Sequence, residues 1–206
     1  MNPSPSVTAA HAANHLSVRD LSTIAIFSVL MTVVAIVIAI ITSPTVYLAT
    51  FVASPIIAFV TAPIYAFMLL KVHKRGAVFI YCLILAIIYL ISGTPYLSPW
   101  LVIAGLLGEL SMAGKHAYAS MLRITASWMI CTFFRATNGM IDIWFFTKQY
   151  LASGNNRAHF HQIAQFYYSV PWIITILLIA LLAAAAGGAV SARLMKKHFL
   201  QNGLLK

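Results

Sequence analysis

The sequence predicts an all-α polytopic membrane protein, a bundle of six transmembrane helices. Of its 206 residues, 62% are hydrophobic and only 8% are charged, which is too apolar for an ordinary water-soluble globule. Several apolar runs are about 20 residues long, enough to cross a hydrocarbon core of about 30 Å as a helix, and the alternating pattern of an outer-membrane barrel is missing. The net charge of +10 comes from basic residues between these runs, where they set topology rather than bind nucleic acid.

One membrane domain is expected over residues 1–206. A cytoplasmic tail, residues 1–18, precedes six spans at about residues 20–41, 47–72, 77–91, 100–113, 117–147 and 167–195. Ser17 and Asp20 supply polar side chains that can open the first helix. The connection from Lys148 to Phe166 is the one long polar segment, and connections of this length in compact bundles are often lids or binding loops.

Basic residues are divided unequally between the two ends of this bundle. Ten Lys and Arg residues fall in the N-terminal tail, the second-to-third and fourth-to-fifth connections and the C-terminal end. Two, Lys148 and Arg157, fall on the opposite side, and Arg135 is left out because it lies within a span. By the positive-inside rule, we expect a multi-pass protein of the cell membrane with both termini in the cytoplasm.

The fifth span carries polar residues on one face. Trp128, Cys131, Arg135, Asn138 and Asp142 fall within an arc of roughly 80° on a continuous helix. An Arg or Asp inside a membrane helix is unfavourable by a few kcal/mol unless it faces protein or a wet cavity. We therefore predict that Arg135, Asn138 and Asp142 form a wall of a ligand pocket that opens outward. The alternative is a buried ion pair that only orients two helices.

Five further residues are candidates for this substrate pocket: Glu109, Tyr96, Trp100, His161 and Trp172. Glu109 has three interpretations, as a partner for Arg135, as a ligand contact, or as an acid at the cytoplasmic boundary. The two tryptophans lie at predicted interfaces, where a ring stacks on a ligand or only anchors the helix in the membrane. Tyr96 lies in the loop after the third span. His161 lies in the long polar connection, where a histidine reaches substrate or belongs to an ordinary surface.

Small residues line one side of the first span. Ala25, Ser28, Thr32, Ala35 and Ala39 lie within an arc of roughly 80°, which lets another helix approach closely. Spacing does not decide whether that helix is internal or belongs to another subunit. Small-residue stripes are common inside bundles, so the residues alone favour an internal partner.

Sequence motifs of enzymes and metal sites are missing. There is no HExxH and no GxSxG, and the three acids Asp20, Glu109 and Asp142 lie on different elements. Cys82 and Cys131 lie within predicted spans without a CxxC or a nearby His, so neither a disulfide nor a metal site is indicated. An internal repeat, which many carriers show, is not visible. An intramembrane enzyme and a stand-alone carrier are the alternatives to a binding protein.

Three stretches of the sequence resemble one family of membrane proteins. They are Leu16 to Ile26, Pro63 to Ala77, and the ending Lys196 to Phe199 with Asn202 and Gly203. In this order on a six-span chain, they resemble the Trep_Strep integral membrane proteins, which belong among the S components of energy-coupling factor (ECF) vitamin transporters. Such S components are the substrate-binding parts of a type of ABC importer.

The resemblance implies a six-helix protein that captures a vitamin or precursor from outside, with hydroxymethylpyrimidine or a B6 vitamer favoured. It implies a transmembrane coupling subunit (EcfT) and two ATPases (EcfA and EcfA′) as partners. These partners use ATP and Mg²⁺, so this chain is expected to need no cofactor of its own. Docking on the coupling subunit is implied through Ala25, Ser28 and Thr32, which raises the external-partner interpretation above the internal one.

Overall fold

The computed structural model describes residues 16–114, 116–152 and 157–201, and the regular elements in these ranges are all helical. The α-helices are α1 Val18–Thr42, α2 Ala53–Val72, α3 Ala77–Ile91, α4 Ser98–Ser111, α5 Met121–Ala136, α6 Asn138–Phe145, α7 Thr147–Ala152, α8 Arg157–Tyr167 and α9 Val170–Gln201. A π-helical turn, Leu48–Val52, runs into α2, and 3-10 turns at Pro95–Leu97 and Ala117–Ala119 precede α4 and α5. The predicted all-α class is confirmed.

Three helical segments of the described chain are long and apolar enough to cross a membrane. They are Val18–Thr42, Leu48–Val72 and Val170–Lys197, while Ala77–Ile91 is apolar but shorter. Large apolar side chains cover the outside of α1, where Ile26 is 66% and Ile40 is 65% exposed. A surface of this kind suits lipid rather than water. The six-span count and the position of the termini stay predictions.

The long helices surround a common core. The order of packing around the bundle is α1, α2, α9, α5, α4 and α3, and α3 in turn packs on α1. Helix α2 also contacts α5 across the centre. Tyr65, Tyr81 and Trp128 fill that centre, and the Trp128 indole donates to the Ala58 carbonyl at 2.9 Å. The Tyr65 and Ser127 hydroxyls are 3.0 Å apart. Each buried polar tip of this aromatic group except the Tyr81 hydroxyl is thus paired.

Glycines allow α9 to approach its neighbours closely. A β-carbon at Gly187 would lie 2.8 Å from the Phe59 carbonyl oxygen and 2.7 Å from the Ala62 β-carbon, both on α2. A β-carbon at Gly188 would collide with Thr125 on α5. These adjacent glycines therefore let α2 and α5 pack closely against α9.

One end of the bundle carries the α2–α3 and α4–α5 connections, and we call it the basic end. Here Ser17 and Asp20 cap α1 reciprocally, so the opening predicted for the first helix is confirmed. Lys74, in the α2–α3 turn, approaches Asp20 to 2.8 Å and ties that turn to the start of α1. The turn itself needs left-handed backbone at His73 and Gly76.

The opposite end is covered by α6, α7 and α8, which we call the cap. A second cluster of buried side chains holds the cap on the bundle: Val46, Met140, Ile143, Ile163, Ala164, Phe166 and Ile176. The predicted fifth span, 117–147, is interrupted at Thr137, so that α6 belongs to the cap rather than continuing α5 as one helix. The predicted long polar loop contains α8, and residues 153–156 of it lie outside the described residues.

Candidate functional site

Two adjoining cavities lie between the helices toward the cap end. The first, the polar cavity, has a volume of ≈ 190 Å³, and the second, the apolar cavity, ≈ 330 Å³. Both are lined by Ile57, Tyr89 and Arg135, where the two meet. The polar cavity is also lined by Ala49, Thr50, Ala53, Ser54, Ala58, Thr132, Ala136, Gly139, Tyr167 and Ile176. The apolar cavity is also lined by Met31, Thr32, Ala35, Ile36, Ala39, Tyr81, Leu85, Ile88, Ser92 and Thr94.

Arg135 is the charged residue at this meeting point. It lies in the last turn of α5, where the free carbonyl groups of a helix C-terminus favour a positive charge. Among the titratable groups, the hydroxyls of Tyr81 and Tyr89 and the thiol of Cys131 lie close enough to act on its charge. Among the described residues the ion pair found is Asp20 with Lys74, at the basic end, so the alternative of a buried ion pair at Arg135 is wrong.

Unpaired polar atoms gather on α3, α5 and α6. Within the described residues, four buried oxygen atoms make no hydrogen bond of good geometry: the Tyr81 hydroxyl, Thr132 Oγ1, Asn138 Oδ1 and Asp142 Oδ1. Tyr81 and Thr132 line the cavities, and Tyr81 lies beside Arg135 without completing a bond to it. More than nine in ten buried polar groups in proteins are paired, so a concentration of exceptions is typical of a functional site.

Asn138 acts on the cavities through a neighbour. It is buried at the start of α6, and its side-chain amide donates to the Tyr89 hydroxyl at 3.3 Å. Asn138 is not among the residues that line either cavity, whereas Tyr89 lines both. Its place is therefore behind the cavity wall, where it orients Tyr89.

Asp142 and Tyr96 form a separate pair near the cap. The Tyr96 hydroxyl lies near the Asp142 carboxylate, and the Tyr96 ring stacks on Phe146 with centroids 4.3 Å apart. Burial and the negative charge of Asp142 raise the pKa of Tyr96 to about 12. Neither residue lines the two cavities, so the pair fastens the loop before α4 to the cap. Thr137 divides the predicted fifth span, so Asn138 and Asp142 lie on α6 while Arg135 lies on α5, and a ligand contact for these two residues stays a prediction.

Trp100 packs against the break between α5 and α6 at Thr137. Its indole nitrogen donates to Thr137 Oγ1 at 2.9 Å and to the Phe134 carbonyl at 3.2 Å, and its ring packs on Phe134. The indole thus pairs with one carbonyl of the last turn of α5 and with the hydroxyl of the residue at the break. Trp100 lines neither cavity, so its observed contacts are within the chain.

Trp172 and His161 also lie away from Arg135. Trp172 is 45% exposed at the start of α9 and packs edge-on against Phe51 and Phe166. It borders a wider surface cleft of ≈ 470 Å³, which includes Tyr47 and no charged residue. His161 is exposed on α8. Tyr96, Trp100, His161 and Trp172, which the sequence suggested in addition to the fifth span, thus do not converge on one pocket.

Tyr167, at the end of α8, closes the polar cavity from the cap side. Its ring lies directly on Gly139, where a β-carbon would come 2.8 Å from the tyrosine hydroxyl. The Trp144 indole donates to the Tyr167 carbonyl at 2.8 Å, and the Tyr167 hydroxyl faces Thr50 across the cavity. The cap is thereby joined to the cavity wall through one residue.

A family model for a hypothetical bacterial integral membrane protein, Trep_Strep, matches residues 18–201. The chain belongs to the Trep_Strep family. No curated protein and no solved structure matches it. The match covers the nine α-helices found in the described residues, so the cavities and the cap are parts of the region that defines membership.

In this Trep_Strep protein, Glu109 serves the fold at the basic end. Its carboxylate accepts hydrogen bonds from the backbone amides of Gly76, Val78 and Phe79, at 2.7, 3.2 and 3.4 Å, and from the Tyr118 hydroxyl at 2.5 Å. A carboxylate here caps the N-terminus of α3 from the neighbouring helix. Glu109 touches neither cavity, and the structure favours the third interpretation, an acid at one end of the bundle.

The small-residue stripe of α1 faces inward. Ser28 is 0% exposed, its hydroxyl donates to the Ile24 carbonyl, and Thr32 lines the apolar cavity. The expectation that Ser28 docks on another subunit is wrong, because the bundle already covers it. Ala25 is half-buried at the edge of the stripe. The interpretation from residues alone, an internal partner, is the one that the packing supports.

Several residues of the cavity walls were not found from sequence. Thr50 and Ser54 are four residues apart and line the polar cavity with Ala58, a spacing that marks one helix face and was available as a signal. Tyr89 gave no signal, since a single tyrosine near a span end is typical of the membrane interface. The described residues contain no group of three or more His, Cys, Asp or Glu that could hold a metal ion.

Proposed function

We propose that this Trep_Strep protein is the substrate-binding S component of an ECF-type importer. It captures a vitamin or vitamin precursor, hydroxymethylpyrimidine or a B6 vitamer, and delivers it inward with a coupling subunit and two ATPases. The observation that carries the proposal is the pair of cavities meeting at Arg135. Small-molecule sites are enclosed, mostly apolar spaces with a few convergent polar groups, and these cavities have that composition.

Charge distribution supports capture from outside. The cavities lie toward the cap end, whereas Lys74 and Arg75 lie in the α2–α3 turn at the basic end. The basic end of a membrane bundle faces the cytoplasm by the positive-inside rule. In this orientation the cap and the cavities face the exterior, and both termini lie inside the cell.

Energy comes from the partners in this proposal. The sequence has no GxxxxGK[ST] motif for binding ATP phosphates, so ATP and Mg²⁺ belong to the ATPases. Since Ser28 is covered, we assign docking on the coupling subunit to the half-buried Ala25 and the exposed Val29, Val33 and Val37 that follow it on α1. The three valines are each about half exposed, and their four-residue spacing keeps them on one side of the helix.

Neither alternative is favoured by a specific observation. An intramembrane enzyme needs reactive groups that a substrate can reach, but the thiols of Cys82 and Cys131 face each other at 3.6 Å inside the core. A stand-alone carrier needs a path to both sides, and the cavities described lie toward one end.

The test is reconstitution in proteoliposomes with labelled pyridoxal and hydroxymethylpyrimidine. The chain alone is expected to bind one of them without accumulating it, and accumulation should need the coupling subunit, both ATPases and ATP. Liposomes with ATPases that carry a substituted Walker lysine are the matched control. Accumulation by the chain alone would favour a carrier, and chemical change of the solute would favour an enzyme.

A further inference from the structure

No carboxylate of the described residues forms an ion pair with Arg135. The sequence contains three acidic side chains, and each is engaged elsewhere. Asp20 pairs with Lys74, Glu109 caps α3, and Asp142 lies beside Tyr96. Arg135 is partly buried where the two cavities meet, and a cation with little access to water is stabilised when an anion lies beside it.

The surroundings of Arg135 orient it without neutralising it. Tyr81 and Tyr89 present hydroxyl groups, and Cys131 presents a thiol, all of them uncharged donors or acceptors. The end of α5 supplies carbonyl groups, which favour the cation by about 0.3 to 1 kcal/mol at an ordinary site. None of these groups carries a negative charge. An anion at the same place forms a charge-assisted pair with the guanidinium group.

The two cavities define what kind of anion fits. On one side of Arg135 the polar cavity offers the hydroxyls of Thr50, Ser54 and Thr132, and Thr132 Oγ1 is unpaired. On the other side the apolar cavity runs between α1 and α3 with a mostly hydrocarbon surface. A guanidinium group holds planar carboxylates and phosphates through paired hydrogen bonds.

We infer that Arg135 binds a carboxylate or phosphate group of the captured molecule, whose apolar or aromatic body occupies the apolar cavity. This inference rests on the proposed function and narrows it to an anionic substrate. Among B6 vitamers, a phosphorylated form meets this requirement. Free hydroxymethylpyrimidine, which is uncharged, does not.

The experiment compares acids with their neutral analogues on purified protein in a phosphate-free maltoside detergent. The probes are pyridoxal 5′-phosphate against pyridoxal, and nicotinate against nicotinamide, measured by calorimetry and thermal shift. Mass spectrometry of solutes and lipids released from the protein identifies whatever co-purifies. We expect the bound or recovered molecule to be an acid that binds at least ten-fold more tightly than its neutral analogue.

Variants assign the effect to Arg135. Arg135→Gln should lose the preference for the acid, and Arg135→Lys, which keeps the charge, should keep part of it. Arg123→Gln is the matched control, because it removes one positive charge from an exposed residue that bonds the Ala113 carbonyl and lines neither cavity. Equal acid binding by wild type and Arg135→Gln overturns the inference.

Other outcomes separate the inference from the proposed function. A neutral solute that binds wild type and Arg135→Gln equally overturns the anionic substrate but leaves the S-component role. An anionic lipid retained by wild type and lost in Arg135→Gln locates an anion site on Arg135 but overturns capture of a solute. If no solute or lipid is recovered and no probe binds, both proposals fail.

Discussion

Replacing Glu109 with Gln should destabilise this protein while leaving its ligand site intact. The carboxylate receives four hydrogen bonds from Gly76, Val78, Phe79 and Tyr118. A glutamine keeps one oxygen but turns an NH₂ group toward amide donors, so that about two of these bonds are lost. Hydrogen bonds to charged groups contribute about 1.5 to 3 kcal/mol each, and since Glu109 is half-buried we expect a loss of about 2 to 4 kcal/mol.

The assay is thermal unfolding in detergent, followed by ligand binding below the transition. At about 2 to 4 °C per kcal/mol for a chain of this size, the midpoint should fall by roughly 5 to 15 °C. Ser111→Ala is the control, because the Ser111 hydroxyl bonds only the Gly108 carbonyl of its own helix, and its midpoint should barely change. If Glu109→Gln keeps its midpoint but binds ligand more weakly, Glu109 belongs to the substrate site and the capping assignment is wrong.

Two further substitutions test the cavity wall and the helix packing. Thr132→Val replaces an unpaired hydroxyl by a methyl group, so stability should stay equal or rise, while ligand affinity should fall about five-fold or more. Thr61→Val, at a buried threonine outside both cavities, should leave affinity unchanged, and equal affinity in both variants would remove Thr132 from the site. Gly187→Ala should cost about 1 to 3 kcal/mol, since its β-carbon meets the Phe59 carbonyl, which cannot move alone. Ala186→Val, on an exposed position of the same helix, serves as control, and an equal change in both midpoints would contradict close packing of α9 on α2.

Composition and charge were enough to predict the all-α membrane class and the place of Arg135. An arginine that faces lipid raises the free energy of the folded protein, so an arginine within an apolar run is expected to face protein or a cavity. This expectation needs only the sequence. The predicted span ran through Thr137 as one helix, whereas the structure divides it there and puts Asn138 and Asp142 on α6. The run Thr137, Asn138 and Gly139 has low helix propensity and could have warned of the interruption.

Other features depend on contacts that no sequence pattern displays. The amides that Glu109 caps lie 30 to 33 residues before it in the chain, at the start of a different helix. Local spacing in the sequence therefore gives no sign of them. The stripe with Ser28 poses a different problem. Close approach of any helix, internal or foreign, requires small residues, and only the three-dimensional packing distinguishes the two.

Tyr167 couples access to motion. Because its ring rests on Gly139 in α6 while its backbone belongs to α8, a solute cannot enter the polar cavity past this side chain without disturbing both helices. The bond from Trp144 links the same two elements a second time. We therefore expect a bound molecule to leave past Tyr167 only as fast as the cap opens. Its residence time would then depend on the rate of cap opening more than on the contacts made in the cavity.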